Sequence, residues 1–498
     1  MAQFNKVTQE LNGQSKSLYE VMMLANKDGT VCDENNPLPV SLGSENVTIT
    51  GDVNIGTTVE ISNEEGNPIP THAHIFDEND NEYTASNPLP VTGIITQGNT
   101  DAFGRTRVSS PLTLFDSSHR FADNNLWSTA TVTGGSTSFN ASQGLVDLTV
   151  TTVANAEVVR ETTKVFSYQP GKSLLVMSTF VPATPQTNLR QRIGYYGASN
   201  GMYYQLDGLT PAFVERSLVT GSVTETLISQ TGGVYGAGDT GWNGDKLDGT
   251  GPSGLTLSKD KAQILWMDIE WLGLGSVRMG FVIDGQFIIC HTFHHANRIS
   301  STYITTASLP VRYEIKNTGV TAGGTLKQVC STVISEGGYE LRGLQQAVGT
   351  PILSPSNLAD KGIYYPLISL KLKTTRLDAV VILTALSILG LGDSTYNWQV
   401  IASGSTTGGT WVSAGTDSSV EYNITPTSIA GGRILASGYI DSSKNNIGSI
   451  DILKEALFKF QLERNGLTGT PLELSIVATC DKDDKDVHAS MDWEEISR

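Results

Sequence analysis

Two carboxylates two residues apart on one strand form the sharpest chemical pattern in this chain. Asp268 and Glu270 lie in Ala262-Gln-Ile-Leu-Trp-Met-Asp-Ile-Glu-Trp271. Strand alternation puts Trp266, Asp268 and Glu270 on one face and Met267, Ile269 and Trp271 on the other. Retaining glycoside hydrolysis on a jelly-roll strand uses a nucleophile, an assisting Asp and an acid in the order Glu-x-Asp-x-Glu, with two carboxyl groups about 5–5.5 Å apart. Trp266 stands where the nucleophile belongs, so no catalytic residue is assigned and the chain is expected not to be an enzyme. The other role open to the pair is a polar strand face, with Arg278 on the following strand as its cross-strand partner.

Histidines make the second pattern. In His291-Thr-Phe-His-His295, alternation sends His291 and His295 to one face and His294 to the other, so three ligands cannot converge without a bulge. Core or rim positions are the expectation for these rings. His72 and His74, in Thr71-His-Ala-His74, point the same way on a strand and are the metal candidates. Three-fold symmetry would bring six such imidazoles to one axis, a donor set suited to a transition metal. Without that symmetry the segment is a polar strand. Asp77-Glu-Asn-Asp-Asn-Glu82 offers oxygen ligands but lacks the loop Gly and terminal Glu of an EF-hand, which favours a hairpin turn. Tyr203, Tyr204, Trp242 and Trp127 are candidates for a sugar-stacking platform or for ordinary surface aromatics. No P-loop, nucleotide-binding Gly motif or Ser–His–Asp signature occurs, and no cofactor is expected.

The elements that must position these residues are strands. Ala262–Trp271, Ser276–Asp284 and Gln286–Phe293 are rich in β-branched and aromatic residues and bounded by Gly or Asp, and Asp284-Gly285 is a hairpin signal. Further strands are expected at Leu145–Val153, Lys172–Phe180, Gln191–Tyr196, Met202–Gln205, Ser217–Ile228, Val311–Lys316 and Leu326–Ser335. That spacing suits a two-sheet, jelly-roll-like sandwich. A later unit is expected from near Leu341, with strands at Ile363–Thr374, Ala379–Leu391, Asn397–Ser403, Gly409–Ser413, Gly432–Ile440 and Leu472–Thr479. Ile450–Phe460 reads as helical at first and strand-like later, and Asp481-Lys-Asp-Asp-Lys-Asp486 as a solvated charge run. The expected fold class is all-β: an extended region over 1–100, a β-sandwich over 101–340 and a second over 341–498.

Composition narrows the function. The chain's 33 basic and 50 acidic side chains give a net charge of −17, which excludes the basic footprint of a free-standing nucleic-acid binder. Its 51 glycines and 7% aromatic content describe a turn-rich, neutral-polar chain. Cys32, Cys290, Cys330 and Cys480 are scattered without ligand spacing and read as reduced thiols, which suits assembly in a cytosol. The N-terminus lacks the apolar stretch of a signal peptide. The most apolar run, Ala379–Leu391, is shorter than the ~18 residues of a membrane span, so no membrane insertion is expected. Two buried strands or one long one account for it.

Residues 1–100 differ from the rest. Asn36-Pro-Leu-Pro-Val40 recurs as Asn87-Pro-Leu-Pro-Val91, with a weaker copy at Asn67-Pro-Ile-Pro70. Alternate prolines remove backbone donors and hold the chain extended. Asn46–Ile61 alternates in places, but one such ribbon has too little apolar surface to stand alone. An oligomerisation and attachment region, trimeric, resolves that shortage; a Gly/Asn-rich linker is the alternative.

Several long strings carry a resemblance. Trp242-Asn-Gly-Asp-Lys-Leu-Asp-Gly-Thr-Gly-Pro-Ser-Gly-Leu-Thr-Leu257, Asp268-Ile-Glu-Trp-Leu-Gly273, Phe281-Val-Ile-Asp-Gly-Gln-Phe287, His291-Thr-Phe-His-His-Ala-Asn297 and Leu309-Pro-Val-Arg-Tyr-Glu-Ile315 resemble a widespread family of tailed-phage virion structural proteins. Asp101–Asp116 fits the same family, and the resemblance covers roughly residues 87 to 340. It implies a β-sandwich module displayed on a virion as a fibre or decoration protein. The implied partners are sister copies in a homotrimer and other virion proteins of the capsid, neck or tail, reached through residues 1–100. The implied location is the virion, assembled in the host cytoplasm. Trimeric phage fibres that carry axial iron resemble the His72/His74 arrangement. The rivals are an adhesin that binds host surface glycans and a depolymerase acting through Asp268 and Glu270.

Overall fold

In the computed structural model of the chain, the residues described are 100–101, 103–105, 110–340, 342–442, 448–451 and 460–497, all within one compact unit that spans Ile94–Arg498. The Asn-Pro repeats, His72, His74, the Asp77–Glu82 turn and most of Ile450–Phe460 lie outside the described residues. No α-helix occurs among the described residues, and every pairing between named strands is antiparallel. The fold is all-β.

The first fifteen strands make two facing sheets. They begin with β1 (Leu112–Ser118), β2 (Trp127–Thr131), β3 (Gly135–Asn140), β4 (Leu145–Val150) and β5 (Glu157–Thr162). Next come β6 (Leu174–Val181), β7 (Leu189–Tyr196), β8 (Gly201–Asp207), β9 (Thr210–Ser217) and β10 (Thr224–Ser229). The set closes with β11 (Gln263–Ile269), β12 (Val277–Ile283), β13 (Gln286–Phe293), β14 (Val311–Asn317) and β15 (Gly324–Ser335). One sheet runs β13-β12-β11-β6-β15-β4-β3, with β1 also on β15; the other runs β10-β9-β8-β7-β14-β5-β2. Non-consecutive neighbours such as β11/β6 and β7/β14 show the chain passing between sheets, the winding of a jelly-roll-like sandwich.

Alternation explains the core. Leu265, Met267 and Ile269 of β11 and Phe281 of β12 point inward and meet Tyr204 of β8 and Phe213 of β9 from the facing sheet. The rings of Tyr204 and Phe281 pack edge-to-face with centroids 5.3 Å apart. Asp284 (φ 50°) and Gly285 (φ 76°) both take positive φ between β12 and β13, as a two-residue turn of the Asp-Gly type requires. The single strand expected over Ser217–Ile228 is instead the end of β9, a turn and β10. Gly221 (φ 83°), whose N–H bonds to Leu218 O at 2.8 Å, makes the reversal.

Fourteen further strands follow, twelve in a second pair of sheets and two, Arg464–Asn465 and Thr470–Pro471, in a small hairpin of their own. They are β16 (Leu344–Gly349), β17 (Ser356–Leu358), β18 (Tyr365–Leu372), β19 (Val380–Gly390), β20 (Thr395–Thr407), β21 (Val412–Ser413) and β22 (Val420–Asn423). Then come β23 (Ser428–Ala430), β24 (Arg433–Asp441), β25 (Gly448–Asp451), β26 (Arg464–Asn465), β27 (Thr470–Pro471), β28 (Glu473–Cys480) and β29 (Lys485–Ser497). The sheets run β16-β29-β19-β25, with β17 on β29, and β21-β22-β18-β28-β20-β23, with β24 on β20. The apolar run at Ala379–Leu391 is one strand, β19, buried on both faces over Val380–Leu383. Val381 and Leu383 enter the core of this sandwich, while Val380 and Ile382 join the core of the first. The charge run is exposed over 481–484 and turns the chain at Asp484 (φ 52°) into β29, which lies between β16 and β19.

Candidate binding cleft

The Gly- and Asp-rich loop between β10 and β11 carries the longest of the resembling strings, and its carboxylates hold it closed. Backbone N–H groups in a loop have no sheet partner, so buried side-chain oxygens must serve them. Asp239 is buried; Oδ1 accepts from the N–H of Ser229 (2.8 Å) and Gly241 (3.2 Å), and Oδ2 from Ser229 Oγ (2.6 Å) and the N–H of Val234 (3.0 Å) and Tyr235 (3.2 Å). Burial pushes its pKa up, and these donors more than offset that and hold it below the usual carboxylate range. Asp245 repeats the device, with Oδ1 on Leu247 N (2.8 Å) and Oδ2 on Ser253 N (2.7 Å). Leu247 sits at φ 47° with a fully buried side chain, so this bond and the core contact offset a strained backbone.

Trp242 turns inward from this loop. Its indole N–H donates to Ile228 O at 3.1 Å, and its ring lies 4.7 Å from that of Phe213. Asn243, the next residue, faces outward along β13. Its Nδ2 donates to Thr292 O and its Oδ1 accepts from Thr292 N, both at 2.8 Å, as an added strand would. The Asn243 N–H donates to His291 Nδ1 at 3.3 Å, which places that ring's proton on Nε2. Burial drives the His291 pKa down to about 4.

Asp268 and Arg278 oppose each other in the β11–β12 register, and Arg278 Nε donates to Asp268 Oδ2 at 3.0 Å. Arg278 Nη2 reaches the same carboxylate and the carbonyl of Thr100, and Ser173 Oγ donates to Asp268 Oδ1. Both oxygens of this fully buried carboxylate are therefore engaged. Glu270 is half-buried; Oε2 accepts from Ser276 N at 3.3 Å, and burial raises its pKa.

The three histidines go to three separate places. His291 lies under Asn243. His295 Nε2 is 2.6 Å from Glu215 Oε2 and its Nδ1 faces Gly275 O, with the Tyr303 ring stacked on it at 3.9 Å. His294 lies at the rim, its Nδ1 3.4 Å from Ser276 Oγ; burial, then Arg298 and His295, lower its pKa. No cluster of three metal-ligating side chains occurs among the described residues. The sugar platform is corrected outright: Tyr203, Tyr204, Trp242 and Trp127 are all buried. Each belongs to a strand or loop that turns its ring toward other side chains, so none offers a face to solvent.

Between these parts lies a cleft of about 760 Å³. It is lined by Thr240, Asn243 and Gly244 of the loop, Ser276 and Arg278 at β12, Ile289 and Thr292 of β13, His294 and Arg298 after β13, and Thr100, Asp101 and Gly104. The negative charge of Asp101 is already met by Arg105, whose Nε donates to Oδ2 at 2.6 Å. Among the described residues no carboxylate pairs with Arg298, and the lining adds a row of hydroxyl and amide groups. Arg278 was legible as the partner of Asp268, but Thr240, Asn243, Ser276, Thr292 and Arg298 were not legible as a site. They are ordinary polar residues spread over nearly sixty positions, and only the fold gathers them.

No protein-family profile matches the sequence, and no curated protein matches it. Solved structures that it is similar to include phage proteins and lectin-like domains. The CBM2 module of the evolved Dit of Lactobacillus casei BL23 phage J-1 aligns at 7% identity and TM-score 0.31, over 47% of this chain and 99% of that one. A legume lectin-like domain from Entamoeba histolytica aligns at 8% identity and TM-score 0.29, over 47% and 100%. A carbohydrate esterase from Shiga toxin-encoding bacteriophage phi24B aligns at 11% identity and TM-score 0.26, over 45% and 99%. Likenesses this distant carry no functional argument, and the cleft is read from its own geometry.

Proposed function

We propose that this chain is a structural component of a tailed-bacteriophage virion, a surface-displayed fibre or decoration protein anchored through residues 1–100 and assembled as a homotrimer. The observation that carries the reading is how the resembling strings are used. Trp242–Leu257 is closed by the buried carboxylate of Asp245, Asp268 is held by Arg278, and His295 is locked between Glu215 and Gly275. Their polar groups are spent on shape, which is what a structural module needs. The same engagement of Asp268 supports a non-enzymatic role, and a sugar-release assay unchanged by Glu270→Gln tests it. Mass spectrometry of purified particles, with light scattering of the purified chain, tests the main proposal. A stoichiometric particle component with the mass of three chains is the expected result. Absence from the particle overturns it, and a monomer overturns the trimer.

A second reading is a glycan-binding adhesin for host attachment. The specific support is the open polar cleft beside β12 and β13, whose lining is not consumed by the core. Binding of the purified chain to a glycan array tests that reading, and silence across the array removes it.

A further inference from the structure

We infer that this cleft takes a carboxylate-bearing saccharide, with Arg298 as the partner of the carboxylate; the inference rests on the adhesin reading and adds the chemical class of the ligand. The first argument is size. A volume of about 760 Å³ lies within the range of small-molecule sites and suits a short oligosaccharide rather than a metal ion or a protein surface.

The second argument is what lines it. Neutral sugars present an apolar C–H face that proteins cover with an aromatic ring. None of the described lining residues is Trp, Tyr or Phe, and Trp242 is turned into the core. Recognition therefore falls to hydrogen bonds and charge. Thr240, Asn243, Ser276 and Thr292 supply hydroxyl and amide groups at the spacing of two strands and a loop. Arg298 supplies the charge. A guanidinium pairs with a carboxylate through two parallel N–H donors, which fixes orientation as well as adding attraction.

The third argument is preorganisation. Asn243 is pinned by two bonds to Thr292, and Arg278 by Asp268. Groups already fixed lose little freedom when a ligand arrives. On a chain of net charge −17, the lining holds Arg278 and Arg298 and a single carboxylate, Asp101, which is already paired with Arg105.

Isothermal titration of the full chain with sialyllactose and with a glucuronate disaccharide, each against its neutral counterpart lacking the acid, tests the inference. The acidic sugars are expected to bind at least about tenfold more tightly, and Arg298→Ala to lose about tenfold in affinity while Arg298→Lys keeps part of it. Arg298 is exposed, so an unchanged melting temperature accompanies that loss. Equal affinity for acidic and neutral sugars, or full affinity in Arg298→Ala, overturns the inference. Binding of neutral sugars alone overturns it and leaves the adhesin reading standing; binding of none, on the titration and on an array, overturns both.

Discussion

Arg464 places Nη1 2.7 Å from Oε1 of Glu161, and the two residues belong to different sandwiches. Both are buried. The other oxygen of Glu161 accepts from Arg312 Nε at 2.8 Å, so one carboxylate ties β14 of its own sheet to the second sandwich. Arg464 N–H also donates to Thr163 O at 3.1 Å, and Gln461 Nε2 to Val165 O at 2.9 Å. With Val380 and Ile382 entering the first core, the joint combines apolar burial with a paired charge, and the two sandwiches form one body.

Removing one side of that pair tests the joint. Arg464→Met keeps the apolar stem but leaves Glu161 with Arg312 alone, a loss of about 3 kcal/mol for a buried pair broken on one side. The expected calorimetric result is that the shared unfolding transition separates into two. A single transition at the wild-type temperature would show that the two cores are coupled by something else.

Acid should weaken the first sandwich through His291. Its imidazole titrates near 6.5 when unfolded and about 4 when buried. Between those values the unfolded chain binds a proton that the native ring refuses, so stability falls as pH falls. The loss is absent above about pH 6.5 and complete below about pH 4, where it reaches about 3 kcal/mol. Burial moves His119 in the same direction. His291→Gln removes the His291 part, so melting curves from pH 7 to 4 should be flatter in that variant, with the slope due to His119 remaining. Curves of equal slope would place His291 in solvent.

Asp239 should control the loop rather than the whole fold. Its carboxylate serves three backbone N–H groups outside the strands and both the N–H and the hydroxyl of Ser229 at the end of β10. Asp239→Asn loses the charge and half of the acceptor capacity, a cost of about 2 kcal/mol. Hydrogen exchange at Val234, Tyr235 and Gly241 is expected to accelerate while the core strands β11 and β12 keep their protection. Equal protection of those loop amides in both proteins would remove Asp239 as the staple.

Much of the first sandwich was legible because its signals are local. Apolar alternation and the Asp284-Gly285 turn mark β11, β12 and β13, and facing positions on adjacent strands make Asp268 and Arg278 partners. The cleft was hidden because it is a property of chain crossings: position 100, the 240s and the 290s meet only after the sheets form. Tyr203 misled for a related reason. It lies on the outer face of its sheet, yet Arg192 and Arg216 pack over its ring at 5.0 and 5.2 Å and bury it. The last strand was hidden by its polar residues, although Val487, Ala489, Met491 and Trp493 recur with period two and all four are buried.

That strand yields the last prediction. β29 lies between β16 and β19 and also carries β17, so it is an interior strand of its sheet rather than an edge strand. Trp493 is 1% exposed, and its indole N–H donates to Glu495 Oε1 at 3.2 Å. Glu495 in turn accepts from Ser418 Oγ and, at 2.7 Å, from Ser419 N, which links the strand to the facing sheet. Trp493→Ala both empties a core position and removes one of that carboxylate's three donors, so a loss of about 3–5 kcal/mol is expected from urea unfolding. Lys482→Ala, in the exposed turn just before the strand, should cost less than about 0.5 kcal/mol. A Trp493→Ala cost below about 1 kcal/mol would mean that β29 does not occupy the middle of the sheet.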